Sequence, residues 1–246
     1  MELETPLETE AHLWVARPGE IRDLELVLGY DALLTKDERE KVARFRFEKH
    51  RHTSLVTRAL VRTVLSRYAD VSPGDWRFVA NGYGKPEISE PREERSLRFN
   101  LSHTEGLVVC LVGRDRELGV DVEDRTRKGD LLDVADRFFS PFEVKALRAL
   151  PPEEQMDRFF LYWTLKESYI KARGMGLALS LSAFSFDLDS PGSGIRALFD
   201  PSLEDDPGRW QFSALSYGRR HAIAVGMELK RERDVKIVLR EAAPLG

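Results

Sequence analysis

With 246 residues, 42% of them hydrophobic and 33% charged, the chain can fill one large globular core or two ordinary ones, and it has no apolar run near the about 20 residues that cross a bilayer. A formal net charge of −4 argues against a general nucleic-acid binder, and a single cysteine rules out a disulfide framework. The acidic start MELETPLETEAHLW lacks the basic-then-apolar order of a secretory signal, so a cytoplasmic location is expected, with neither membrane nor nucleic acid as a partner.

Thr35 and Glu38 have the spacing of a capping box, which predicts a helix start, and a second helical stretch carries Leu55, Ala59, Leu60, Val64 and Leu65 at helical intervals until SPGD at 72–75 ends it. Between Arg39 and Arg62 the chain is locally basic, with Arg39, Lys41, Arg44, Arg46, Lys49, Arg51, Arg58 and Arg62. Most of these read as a solvated helix face, yet the concentration leaves room for a phosphate-bearing ligand near one or two of them. Strands are predicted at WRFVA, LRFNLSH and GLVVCLVG, with a glycine-rich turn NGYGKP and a polar loop through residue 96 between the first two. Cys110, inside the third strand, reads as a small buried hydrophobe.

RDRE at 114–117 joins this half to LGVDVED at 118–124. In an extended strand Asp121 and Glu123 project from one face while Val120 and Val122 project from the other. Two like charges held side by side require a positive group between them or open water.

The second half has helical patterns at 131–139, 141–150 and 153–173, then strand patterns near 183–188, 210–216, 221–229 and 235–240. The expected class is α+β (mixed α/β), in two subdomains of similar size, 1–116 and 117–246. The longest helix has prolines before it, acids in its first turn and a glycine just after Arg173. Its apolar stripe runs through Met156, Phe159, Phe160, Trp163 and Ile170, and the position that completes it holds Glu167. Lys171 follows one turn later, and an ordinary surface pair with Glu167 is the plain reading. The inward slot speaks for more, because a partly buried carboxylate needs a partner.

Asp121, Glu123 and Glu167 could converge on one divalent cation, and an all-oxygen set suits magnesium. Zinc has little support, since the sequence has no HExxH, no CxxC and no histidines paired at a catalytic spacing. Ser102 has no histidine and aspartate at triad spacing, which disfavours a hydrolase nucleophile, and Lys85 after GYG falls short of a phosphate loop.

YGKP at 83–86, FNLSH at 99–103, GVDVE at 119–123, RFFSPFE at 137–143 and WTLKESYIKARGMGL at 163–177 follow one another over most of the chain. In that order the chain resembles the 4′-phosphopantetheinyl transferases of the larger, surfactin-synthetase-activating (Sfp) type. The resemblance implies two similar α/β subdomains in a pseudo-two-fold arrangement with coenzyme A bound in the cleft between them. It implies transfer of the phosphopantetheine arm to a serine of an acyl or peptidyl carrier protein, with release of adenosine 3′,5′-bisphosphate.

Position by position, Asp121, Glu123 and Glu167 match the magnesium ligands, with manganese as a possible substitute. Glu167 also matches the general base, and Lys171 the lysine on the pyrophosphate. Lys85 and Pro86 match the coenzyme-binding turn, Ser102 and His103 the nucleotide site, and Lys41 a basic residue for the 3′-phosphate. Asp121 also belongs to the coenzyme-binding set. A second lysine of some members falls on Glu38, and Arg39, Arg44 or Arg51 are candidates to supply the missing charge. The enzyme is expected to be a monomer. Two competing readings are a metal-dependent phosphohydrolase acting on coenzyme A or a nucleotide, and a binding module without turnover.

Overall fold

The computed structural model describes residues 7–190, 194–230 and 234–245; the opening MELETP, part of the acidic start, lies outside them. Contacts divide the chain into two compact units. The first holds the described residues up to Asn81, Pro86–Asp115 and everything from Val235 onward; the second holds Gly82–Lys85 and Arg116–Asp234.

In the first unit, β1 (Glu10–Ala16), β4 (Leu97–Thr104), β5 (Leu107–Arg114) and β11 (Lys236–Glu241) form a sheet in the order β11-β1-β5-β4. Helices α1 (Leu24–Leu33), α2 (Lys36–Ala43) and α3 (Glu48–Leu65) accompany it, with a hairpin of β2 (Arg77–Ala80) and β3 (Pro86–Glu90). Strand alternation explains the packing: Val108, Cys110 and Val112 of β5 share a core with Val56, Ala59, Leu60 and Val64 of α3. The α2 start is the expected capping box, with the Glu38 amide donating to Thr35 Oγ1 at 3.3 Å and the Thr35 amide to Glu38 Oε2 at 3.0 Å.

Neither unit is one continuous stretch of the chain, and the first is closed by its last strand. β11 returns to pair in parallel with β1, from Glu10 with Lys236 to Val15 with Glu241, because β1 otherwise leaves a row of backbone donors and acceptors open on that side. β1, α1, β3 and, in the second unit, the short strand Arg196–Phe199 lie outside the elements expected from the sequence, and β3 occupies part of what reads as a polar loop.

In the second unit, β6 (Leu118–Asp124), β9 (Trp210–Tyr217) and β10 (His221–Glu228) form an antiparallel sheet in the order β6-β10-β9, and β7 (Phe184–Asp187) pairs with β8 (Arg196–Phe199). Helices α4 (Leu131–Phe138), α5 (Pro141–Ala149) and α6 (Pro152–Arg173) complete it. α6 ends at Gly174, whose φ of 62° is readily adopted without a Cβ and whose amide donates to the Ile170 carbonyl at 3.0 Å. An aromatic core of Phe159, Phe160, Tyr162, Tyr169, Phe184, Phe186 and Phe212 surrounds it. The mixed α+β class is as expected. No helix among the described residues is long and apolar enough to cross a membrane.

Candidate active site

α6 lies directly on β6. A Cβ built on Gly119 would come 2.1 Å from the Ser168 carbonyl oxygen and 2.3 Å from the Ala172 amide nitrogen, so only a glycine lets helix and strand approach this closely. Gly119, Asp121 and Glu123 share one face of the strand, and the two acids therefore also face the helix. Lys171 Nζ donates to Asp121 Oδ1 at 2.6 Å, and Trp163 Nε1 donates to Glu123 Oε1 at 3.2 Å. Strand and helix run in opposite directions, and their lengths match: the four steps from Gly119, which lies against Lys171 and Ala172, to Glu123 span about 13 Å, and the eight helical steps from Lys171 back to Trp163 about 12 Å. Trp163, Glu167 and Lys171 stand at successive i, i+4 positions, which puts Glu167 between the two contacts.

All three of those residues are half-buried, whereas Phe159, Phe160 and Ile170 are core. The line through Trp163 and Glu167 thus runs along the margin of the apolar core rather than through it. Lys171, moreover, reaches across to the strand acid Asp121, which an ordinary surface pair with Glu167 along the helix would not require.

Burial pushes the Glu167 carboxyl up to about 7, Asp121 and Glu123 add to the rise, and Lys171 opposes it. Glu123 is also raised, first by burial and then by Asp121. Glu167 therefore feels the charge of both strand acids, and Glu123 that of Asp121. An all-carboxylate set with excess negative charge fits a hard divalent cation in residue type. Among the described residues, however, no group of three or more His, Cys, Asp or Glu side chains is drawn together as a metal cage. The geometry shows what the acids hold instead: Asp121 is set on Lys171, and Glu123 on Trp163, with Arg127 Nη1 at 3.7 Å.

A supporting layer escaped the sequence reading. Lys166 and Glu143 are fully buried and 2.7 Å apart. Lys166 Nζ also donates to the carbonyls of Leu181 at 2.7 Å and Phe184 at 2.6 Å, while Glu143 Oε1 accepts from the Phe186 amide at 3.0 Å. Glu143 Oε2 closes a capping box with Ser140 at the start of α5. Phe139 stacks on Phe159, which stacks on Trp163. RFFSPFE thus braces the indole that holds Glu123 and anchors the residue beside Glu167. The S-x-x-E spacing of Ser140 and Glu143 was the available signal; the buried lysine gave none.

Lys85 is half-buried in the second unit, donating to Glu117 Oε2 at 3.0 Å and to the Ala172 carbonyl at 2.8 Å. A cation on the last carbonyls of α6 is favoured by the helix dipole. Pro86 opens β3 in the first unit. Ser102 and His103 lie in that unit too, both within β4, the serine buried and the histidine exposed. Lys41 is exposed on α2. Glu38 has a structural role: it pairs with Arg62 at 2.6 Å and Arg58 at 3.2 Å, and Arg62 is only 1% exposed. Among the candidates to replace a lysine there, Arg39 donates to the Asp31 carbonyl and Arg51 to Glu48, while Arg44 is exposed.

A family model described as 4′-phosphopantetheinyl transferase superfamily matches residues 117–226, and one described as 4′-phosphopantetheinyl transferase, N-terminal, matches residues 25–115. The 4′-phosphopantetheinyl transferase HetI of Nostoc sp. is 39% identical over 178 residues, covering 71% of this chain and 73% of its own. The 4′-phosphopantetheinyl transferase Sfp of Bacillus subtilis is 37% identical, covering 65% of this chain and 69% of its own. A phosphopantetheinyl transferase of Thraustochytrium sp. is 32% identical over 209 residues, covering 80% and 71%. The motifs whose packing is described above, from Lys85 to Gly174, fall inside the stretches that the two family models match, and the chain belongs to the 4′-phosphopantetheinyl transferase superfamily.

Proposed function

We propose that this enzyme moves the 4′-phosphopantetheine arm of coenzyme A to a serine hydroxyl of an acyl or peptidyl carrier protein and releases adenosine 3′,5′-bisphosphate. The carrying observation is the facing of Asp121 and Glu123 on β6 with Glu167 and Lys171 on α6. The serine oxygen attacks the phosphorus next to pantetheine, the bond to the bisphosphate breaks, and the serine proton goes to Glu167. As an ionised carboxylate, Glu167 has the oxygen lone pairs to take that proton.

Asp121, Glu123 and Glu167 would hold magnesium, or manganese in its place. When bound, the ion supplies charge neutralisation at the diphosphate. The protein's own groups do the rest. Lys171 holds the diphosphate, and Trp163 keeps Glu123 in place. Lys41, Lys85, Pro86, Ser102 and His103 belong to coenzyme binding, and Asp121 borders it. On this proposal the enzyme works as a cytoplasmic monomer.

One incubation tests it: protein, coenzyme A, magnesium and an unmodified carrier, with the carrier then weighed by mass spectrometry. A mass gain of one phosphopantetheine is expected. Bisphosphate release without that gain would establish a phosphohydrolase, and neither product would leave a binding module.

A further inference from the structure

Asp121 is the acid of the site most firmly engaged from within. Its side chain is 7% exposed, and Lys171 Nζ stands 2.6 Å from Oδ1, a charge-assisted contact. Arg127 Nη1 lies 3.7 Å from Glu123 Oε1, but the arginine is 58% exposed and its hold is that of a surface pair. A divalent ion sharing Asp121 with Lys171 would set two positive centres against one carboxylate. Their repulsion weakens whichever is bound less tightly.

We propose that Lys171 and the divalent ion compete for Asp121, so that metal entry frees the lysine for the diphosphate. This rests on the reading that Asp121, Glu123 and Glu167 take a divalent ion. The coupling is reciprocal: an ion that displaces Lys171 favours diphosphate binding, and diphosphate that draws Lys171 away favours the ion. Lys171 thereby joins two binding events through one side chain, in addition to touching the substrate. Arg127, exposed and more distant, contributes little to the competition.

The test is Mn2+ binding to the full chain without coenzyme A, followed by electron paramagnetic resonance of free Mn2+. Lys171→Met is expected to bind Mn2+ at least about fivefold more tightly than wild type, while Lys171→Arg and Arg127→Gln stay within about twofold. Equal affinity of Lys171→Met and wild type would overturn the inference, as would an equal tightening in Lys171→Arg. Asp121→Asn separates the two levels. If it binds Mn2+ as well as wild type, the metal reading falls and the inference with it; if it loses Mn2+ while Lys171→Met is unchanged, the inference alone falls. A second measurement needs no variant: saturating Mn2+ should raise the acylation rate of Lys171 in the wild-type chain relative to exposed Lys145, read by mass spectrometry. An unchanged rate means that the lysine was not displaced.

Discussion

Lys166 Nζ stands 2.7 Å from Glu143 Oε2 with both side chains fully buried, one residue along α6 from Glu167. Removing either partner strands a charge in the core, and Lys166→Met or Glu143→Gln should each cost about 3–5 kcal/mol. The double substitution should cost clearly less than the sum, since neither charge is then left alone. Urea denaturation of the three variants reads the coupling directly.

Gly119→Ala tests the helix–strand approach. The added methyl meets backbone atoms of Ser168 and Ala172, which cannot turn aside as a flexible side chain would. A loss of about 3 kcal/mol or more is expected, seen as a melting point lower by roughly 6–12 °C. Transfer activity should fall further than stability accounts for, because Asp121 and α6 move apart. A variant with wild-type melting and turnover would contradict the close packing.

Glu167→Gln keeps the size of the side chain and removes its ability to take a proton. Transfer to the carrier should fall by at least about 100-fold. Coenzyme A affinity, measured by calorimetry, should stay within about tenfold. Wild-type rates would remove Glu167 from the mechanism.

Exhaustive chelation should abolish transfer, and added magnesium or manganese should restore it. Full activity in the chelated enzyme would end the metal proposal while leaving the family membership untouched.

Glu38 offers a pH-dependent prediction. Burial alone would raise its carboxyl, but the Thr35 amide and the Arg62 and Arg58 guanidiniums outweigh burial and hold it below its ordinary value of 4.5. With the folded value depressed, the unfolded chain binds the proton more readily, so stability rises with pH across that interval. The contribution is complete above 4.5 and is lost as pH falls through the lowered folded value. Wild type should therefore exceed Glu38→Gln most clearly at neutral pH, with the gap closing under acid. Glu38→Lys should be worse, by about 3 kcal/mol or more, because buried Arg62 loses its partner and gains a repelling neighbour.

What could be read in advance followed local rules. The period-two pattern of β6 placed Asp121 and Glu123 on one face, and the prolines and Gly174 bounded α6 closely. Lys171 on Asp121 was not legible, since helical spacing pointed to Glu167 one turn back, and a contact across elements leaves no local trace. Nothing local marked Lys166 as buried beside Glu143 for the same reason: it is the closure of β7 over α6 that removes water from them. β3 was hidden by PEISE, too polar and short to stand out, and α1 by Leu24 and Leu28, which face solvent. Lys85 read as a turn residue and proved to tie that turn to the end of α6.

The parallel pairing of β1 with β11 has a consequence for biosynthesis. Residues 116–234 are threaded as an insertion between β5 and β11, so the first unit, whose β1 is made before the second unit, can complete its sheet only when Glu241 has left the ribosome. Until then β1 is an open edge, able to recruit a strand from a neighbouring nascent chain. A fragment ending at residue 115 inherits that hazard permanently, whereas fusing Lys236–Glu241 back onto it should relieve the aggregation.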